Sequence, residues 1–192
     1  NLVARGGDGN DWLGLGVAQL AQEKLDKAEG TLKGAQNMMK DNPYPSLHLA
    51  KLYKAKKDAA KEKESVERAI SIQPGNVDAW AYLFNAIKEN ENEEAAIKVI
   101  EDLANAPVNM KTAAPYVALQ GFYANEESTR DKAILYAKKA VERNPTDPIP
   151  LIVLSALYGQ TGKIDEVVKL LAPHEALMRD DVRLAHNYFE AL

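Results

Sequence analysis

The chain has 192 residues, 46% of them hydrophobic and 27% charged, with a net charge of −4, a pI near 5.5 and no cysteine. That balance specifies a water-soluble chain with a real core. It disfavours nucleic acid or an anionic membrane surface as the main partner, and excludes disulfides and thiolate zinc sites.

No apolar run approaches the roughly 20 residues that span a bilayer, so no membrane insertion is expected, and no signal peptide is visible. The chain begins at Asn1 without an initiator methionine, so its start reads as processed or trimmed. Residues 1–9 read as a flexible lead-in or the end of a preceding helix. Within them starts GGDGNDWLG, whose Gly6, Gly7, Gly9, Asp11 and Leu13 fit the nonapeptide of calcium-binding β-rolls. Such rolls share each ion between tandem copies, and this copy stands alone. The match is expected to be accidental, with Asn10 or Asp11 serving as a helix N-cap instead.

From residue 10 onward, apolar and small residues recur at helical offsets of three and four. The first segment, 10–43, carries Trp12, Leu15 and Gly16, a turn at Glu23-Lys24, then Ala28, Leu32 and Ala35. Its closing Pro43 arrives late, implying a longer second helix or a looser loop. The second, 44–76, carries Ser46, Leu49, Ala50 and Tyr53, a turn at Lys57-Asp58, then Val66, Ala69 and Pro74. Glu62 occupies a place that favours a small residue, which predicts a loosened or shifted pair. The third, 77–112, carries Trp80, Leu83 and Ile87, a turn at Asn90–Asn92, then Ala96 and Ile100. The fourth, 113–147, carries Tyr116, Leu119 and Tyr123, a turn at Asn125–Ser128, then Ala133, Ala140 and Pro145. The fifth, 148–175, carries Leu151, Leu154, Ser155 and Tyr158, a turn at Thr161–Lys163, then Leu171. Its early Pro173 and His174 predict an irregular end. Residues 180–192 read as a capping helix or the first helix of a truncated sixth unit, with Val182, Ala185 and Phe189 as its apolar face. The starting residues Trp12, Ser46, Trp80, Tyr116 and Leu151 are spaced by 34, 34, 36 and 35 residues.

This ladder resembles the tetratricopeptide repeat, a 34-residue unit with a Trp-x-x-Leu-Gly-x-x-Tyr first helix, an Ala-x-x-x-Phe second helix and a closing proline. DWLGLG (Asp11–Gly16), DAWAYLFNAI (Asp78–Ile87) and KAILYAKKAVERNP (Lys132–Pro145) carry the likeness. The resemblance implies an all-α fold: a right-handed superhelical solenoid of antiparallel helix pairs, about five units over 10–175 plus a terminal helix.

No catalytic constellation stands out. His48, His174 and His186 lack metal-ligand spacing, and Gly159 and Gly162 lack the spacing of a phosphate loop. The basic stretch Lys51–Glu64 interleaves acids and reads as a solvated helix surface. Glu93-Glu94 and Asp180-Asp181 read as helix-start charges. No cofactor, metal or enzymatic activity is expected.

In the resembled fold the first helices line a concave face. Residues one, five and eight places after each start would face it, giving Leu13, Val17 and Leu20, then Leu47, Lys51 and Lys54, then Ala81, Asn85 and Lys88. The fourth unit adds Val117, Gly121 and Ala124, and the fifth Ile152, Ala156 and Gly159. Central lysines with apolar flanks point to a protein or peptide partner that has acidic and apolar residues. The co-chaperone clamp of the family needs Lys and Asn where Leu13 and Val17 stand, so that subtype is disfavoured. The functional expectation is a non-catalytic interaction scaffold, with a bacterial assembly, secretion or envelope role suggested only by the style of the sequence. The alternatives are a recruiting arm of a larger multidomain enzyme or transferase, and a module that self-associates through open ends of the array. Ending at an unfinished unit fits an excerpt, a cap or a docking end.

Overall fold

The computed structural model describes residues 7–192. Gly6 of the nonapeptide, with most of the expected lead-in, lies outside the described residues. No strand occurs among them. In chain order the helices are α1 (Gly9–Ala21), α2 (Leu25–Met38), α3 (Tyr44–Ala55), α4 (Ala59–Ile72), α5 (Val77–Asn90), α6 (Glu93–Ala104), α7 (Ala114–Tyr123), α8 (Arg130–Arg143), α9 (Pro148–Gln160), α10 (Ile164–Leu171), α11 (Glu175–Asp180) and α12 (Val182–Glu190). Two compact units result, Asn1–Asp102 and Leu103–Leu192.

Helix starts are set by short polar side chains. Asp8 caps α1, accepting from the Asn10 and Asp11 backbone N–H groups, while Asp11 accepts in return from the Asp8 N–H at 3.1 Å. The expected cap was two or three residues downstream. Asp11 is instead the reciprocal partner, and Gly9 is helical rather than part of a lead-in. Asn76, Asp147 and Asp181 cap α5, α9 and α12 without the reciprocal bond, each side chain accepting from one backbone N–H of the first turn.

The turns inside the pairs obey one requirement. The carbonyl of the residue seven places after each start must be satisfied as its helix ends. In three pairs a backbone N–H five residues on supplies it: Lys24 to Gln19, Asp58 to Tyr53 and Lys163 to Tyr158, each at 2.9 Å. The residues between are left-handed, Glu23 at φ 57°, Lys57 at φ 58° and Gly162 at φ 69°, and only the last is the residue type that accepts this without strain. In the third pair the Glu91 N–H reaches the Ile87 carbonyl at 2.8 Å. In the fourth, a 3-10 turn at Glu127–Thr129 brings the Thr129 hydroxyl to the Tyr123 carbonyl at 2.8 Å.

In the first unit α1 packs on α2, α2 on α3, α3 on α4 and α4 on α5. The small and apolar residues expected on the second helices, Ala28, Leu32, Ala35, Val66, Ala69, Ala96 and Ile100, are fully buried. Gly16 is a close-approach point: a Cβ there would lie 2.6 Å from Leu32 Cδ2. The Trp80 indole donates to the Pro74 carbonyl at 2.8 Å, tying α5 to the proline that follows α4. α2 is no longer than α4, at 14 residues each. The late Pro43 therefore reflects a looser connection, in which the Asn42 side chain accepts from the Tyr44 N–H at 2.9 Å.

A polar network also holds α2 to α3. Glu29 pairs with Lys33 at 2.8 Å and with Lys56 at 2.6 Å, and accepts from the Tyr53 hydroxyl at 3.0 Å. Lys33 first, then Lys56, with a smaller contribution from Tyr53, holds the Glu29 carboxyl down at about 2 against the opposing effect of burial.

In the second unit α7 packs on α8, α8 on α9, and α9 on α10. Ala133, Ala137 and Ala140 are buried on α8, and Tyr123 stacks on Tyr136 with ring centroids 5.7 Å apart. Arg143 closes the end of α6, donating to the Ala104 carbonyl at 2.7 Å, and to Asn105 Oδ1 and the Tyr116 hydroxyl at 3.0 Å each. The fifth pair ends irregularly: α10 stops at Leu171 and a 3-10 turn at Ala172–His174 leads into α11.

Two measurements check this packing. Gly16→Ala is expected to destabilise, because overpacking against the buried Leu32 costs about 1–3 kcal/mol. Gly30→Ala, on α2 with nothing within 4 Å of the added carbon, is expected to stabilise by about 0.5–1 kcal/mol; urea unfolding of both variants reads the opposite signs. The depressed Glu29 carboxyl stabilises the fold above its ordinary titration range, and that contribution is lost as pH falls from about 5 towards 2. Denaturation midpoints of wild type and Glu29→Gln should therefore converge over that window; a constant gap would contradict the network's role.

Candidate functional site

The candidate surface is the face of the first helices, and each unit contributes its own. In the first unit α1, α3 and α5 supply it. Leu13, Val17 and Leu20 are half-buried on α1, and Leu13 and Leu20 pack partly against the cluster of Ala28, Leu32, Leu49, Leu52 and Tyr53. Leu47 is only 7% exposed, so the structure makes it a core residue rather than part of an open face. Lys51 is exposed, Ala81 half-buried and Asn85 exposed.

The lysines behave differently from one another. Lys54 bridges α3 to α5 through a 2.5 Å pair with Glu89. Lys88 pairs with Glu93 across the α5–α6 turn at 2.9 Å. Lys51 has no carboxylate within ion-pair distance among the described residues. His48, one turn before it, is held below its ordinary value first by burial and then by the Lys51 charge, so the imidazole is neutral at neutral pH. Positive charge on this face is thus concentrated at one residue instead of three. The bridging glutamates Glu89 and Glu93 left no trace in the apolar periodicity, because charge pairing between turns is not periodic.

Beneath this face lies a feature that periodicity misjudged. Glu62 is 4% exposed, yet α4 runs unbroken through it, so the pair is not loosened. Its Oε1 accepts from the Tyr82 hydroxyl of α5 at 3.1 Å. Burial first, then the Glu62 charge, pushes the Tyr82 hydroxyl above its ordinary range. The carboxylate fits where a small residue was expected because the neighbouring first helix supplies a donor.

In the second unit Val117 on α7 and Ile152 on α9 are half-buried, with Ala124 and Ala156 also partly covered and Gly121 and Gly159 exposed. α12 lies against α9 and α10. Its Asn187 donates to Ser155 Oγ at 2.8 Å, close to the Ile152 carbonyl at 3.4 Å. An open cleft of about 340 Å³ remains beside it, lined in part by Ala156, Gly159, Ile164, Asn187 and Glu190. The expected apolar face of this last helix is reversed. Leu184 is the buried residue, while Val182 and Phe189 point to solvent.

Among the described residues no group of three or more His, Cys, Asp or Glu is placed to hold a metal, and no helix is long and apolar enough to cross a membrane.

No protein-family model matches the chain, and no curated protein matches it. Solved structures do. Yeast Tom70 is similar at a TM-score of 0.51 and 17% identity, over 99% of this chain, which spans 40% of that one. TTC0263, a thermophilic tetratricopeptide-repeat protein of Thermus thermophilus, is similar at 0.47 and 22% identity, over 95% of this chain and 98% of that one. PilF of Pseudomonas aeruginosa is similar at 0.46 and 12% identity, over 95% of this chain and 88% of that one. At these identities the likeness concerns fold alone: the chain has a tetratricopeptide-like, all-α helical-repeat fold.

Proposed function

We propose that this tetratricopeptide-like chain is a protein-interaction scaffold, without a reaction of its own, that receives a peptide on the first-helix face of its N-terminal unit. One observation supports the reading above others. Lys51 is an exposed cation without an internal carboxylate partner among the described residues, on a face otherwise formed by Leu13, Val17, Leu20, Ala81 and Asn85. A ligand carboxylate at Lys51 gains a charge-assisted contact that the free protein lacks. Apolar side chains of the same ligand rest on α1, and Asn85 offers an amide to the peptide backbone. Lys54 and Lys88 keep Glu89 and Glu93 as partners and act as walls. Val117 and Ile152 form a separate apolar surface in the second unit, suited to uncharged side chains.

The favoured ligand carries one acidic residue beside apolar ones, and its affinity falls with salt because the decisive contact is exposed. Selecting peptides from a random library on the immobilised 192-residue chain, then titrating them calorimetrically, tests this. Lys51→Glu is expected to weaken the selected peptides by about tenfold or more, while Lys98→Glu on α6 leaves affinity unchanged. Peptides that bind Lys51→Glu as tightly as wild type would remove the proposal.

A further inference from the structure

We propose that His48 links the peptide face to protons: a ligand carboxylate arriving at Lys51 draws a proton onto the imidazole, so affinity tightens as pH falls. The inference rests on the peptide-binding reading above and adds its regulation. His48 and Lys51 are three residues apart on α3, so their side chains are neighbours on one side of the helix. The imidazole is half-buried, and its ring nitrogens have no hydrogen-bond or ion-pair partner among the described residues.

Charges on the helices packed against α3 are committed elsewhere. α1 carries only Asp11, which accepts from the Asp8 N–H. On α2, Glu29 pairs with Lys33, and Asp26 with Lys56. On α4, Lys61 pairs with Asp58, and Glu62 accepts from Tyr82. Neither these groups, nor Lys27 of α2, nor the other charged residues of α4 act on the imidazole; Lys51 does, opposing its protonation together with burial. A carboxylate seated at Lys51 reverses that balance. It offsets the repulsion from the lysine, and it attracts the imidazolium directly. Linkage then requires reciprocity: the factor by which the ligand strengthens proton binding at His48 is the factor by which the proton strengthens ligand binding. The gain grows as pH falls from the titration of His48 in the complex to its titration in the free protein. It is lost again where the ligand carboxylate itself protonates, near about pH 4.

Calorimetry with library-selected peptides that lack histidine tests this at about pH 8 and about pH 5.5. Buffers of differing ionisation enthalpy report proton uptake beside affinity, and circular dichroism confirms that every variant is folded. Wild type is expected to bind about two- to fivefold more tightly at the lower pH, taking up protons as it does so. His48→Gln should show neither the tightening nor the uptake. By NMR, the His48 titration should move upward when peptide is added and also, without any peptide, in Lys51→Gln, while His174 and His186 stay in place. Peptides that need Lys51 yet bind without proton uptake overturn this inference alone, as does uptake that survives in His48→Gln. A His48 titration that Lys51→Gln leaves unmoved overturns it with no ligand involved. Peptides indifferent to Lys51→Glu remove the binding reading first, and this inference with it.

Discussion

Alanines and one glycine govern how near the helices come. Ala28, Ala69, Ala96 and Ala133 have no exposed surface, and Gly16 leaves no room for even a methyl group against Leu32. Close approach of backbones is what buries Leu32, Val66 and Ile100 completely, and interiors at that density tolerate little change in volume. No single pair can bury both of its faces, so each relies on the next for the rest of its core. Trp80 illustrates the dependence: its ring is buried by packing, while its indole N–H is satisfied by the loop that ends the preceding pair.

Once the second helices are fixed in this way, the first helices present a repeated remainder. Their inward residues are committed to the core. The residues one, five and eight places after each start stay partly open, apart from Leu47. Chemistry on that remainder is free to vary without disturbing the fold. In the first unit it has been divided between internal ion pairs, at Lys54 and Lys88, and a cation at Lys51 that has no such pair. The division matters because a lysine that already holds a glutamate gains little from an incoming carboxylate, whereas one without an internal partner gains a charge-assisted contact.

Helix positions and the buried small residues were legible in the sequence because both follow from one period. Less legible was anything that depends on a single partner. Asp8 and Asp11 are equally plausible caps by composition, and only their reciprocal hydrogen bonding separates them. Glu62 violates the size pattern but is rescued by Tyr82, a residue 20 positions away. α12 was assigned the wrong apolar face because its inward face includes Asn187, whose polar partner Ser155 lies on another helix. Pattern reading assumes that polar means outward, and it fails where a buried donor has its own acceptor.

The central claim is that small residues on the second helices control the spacing on which the packing of each unit depends. Ala69 and Ala60 lie on the same helix, α4, one fully buried and the other exposed, so propensity is matched and only packing differs. Urea unfolding of Ala69→Leu and Ala60→Leu is the direct comparison. A loss of about 1–3 kcal/mol for the first and under about 0.5 kcal/mol for the second is predicted; equal effects at the two positions would contradict the account.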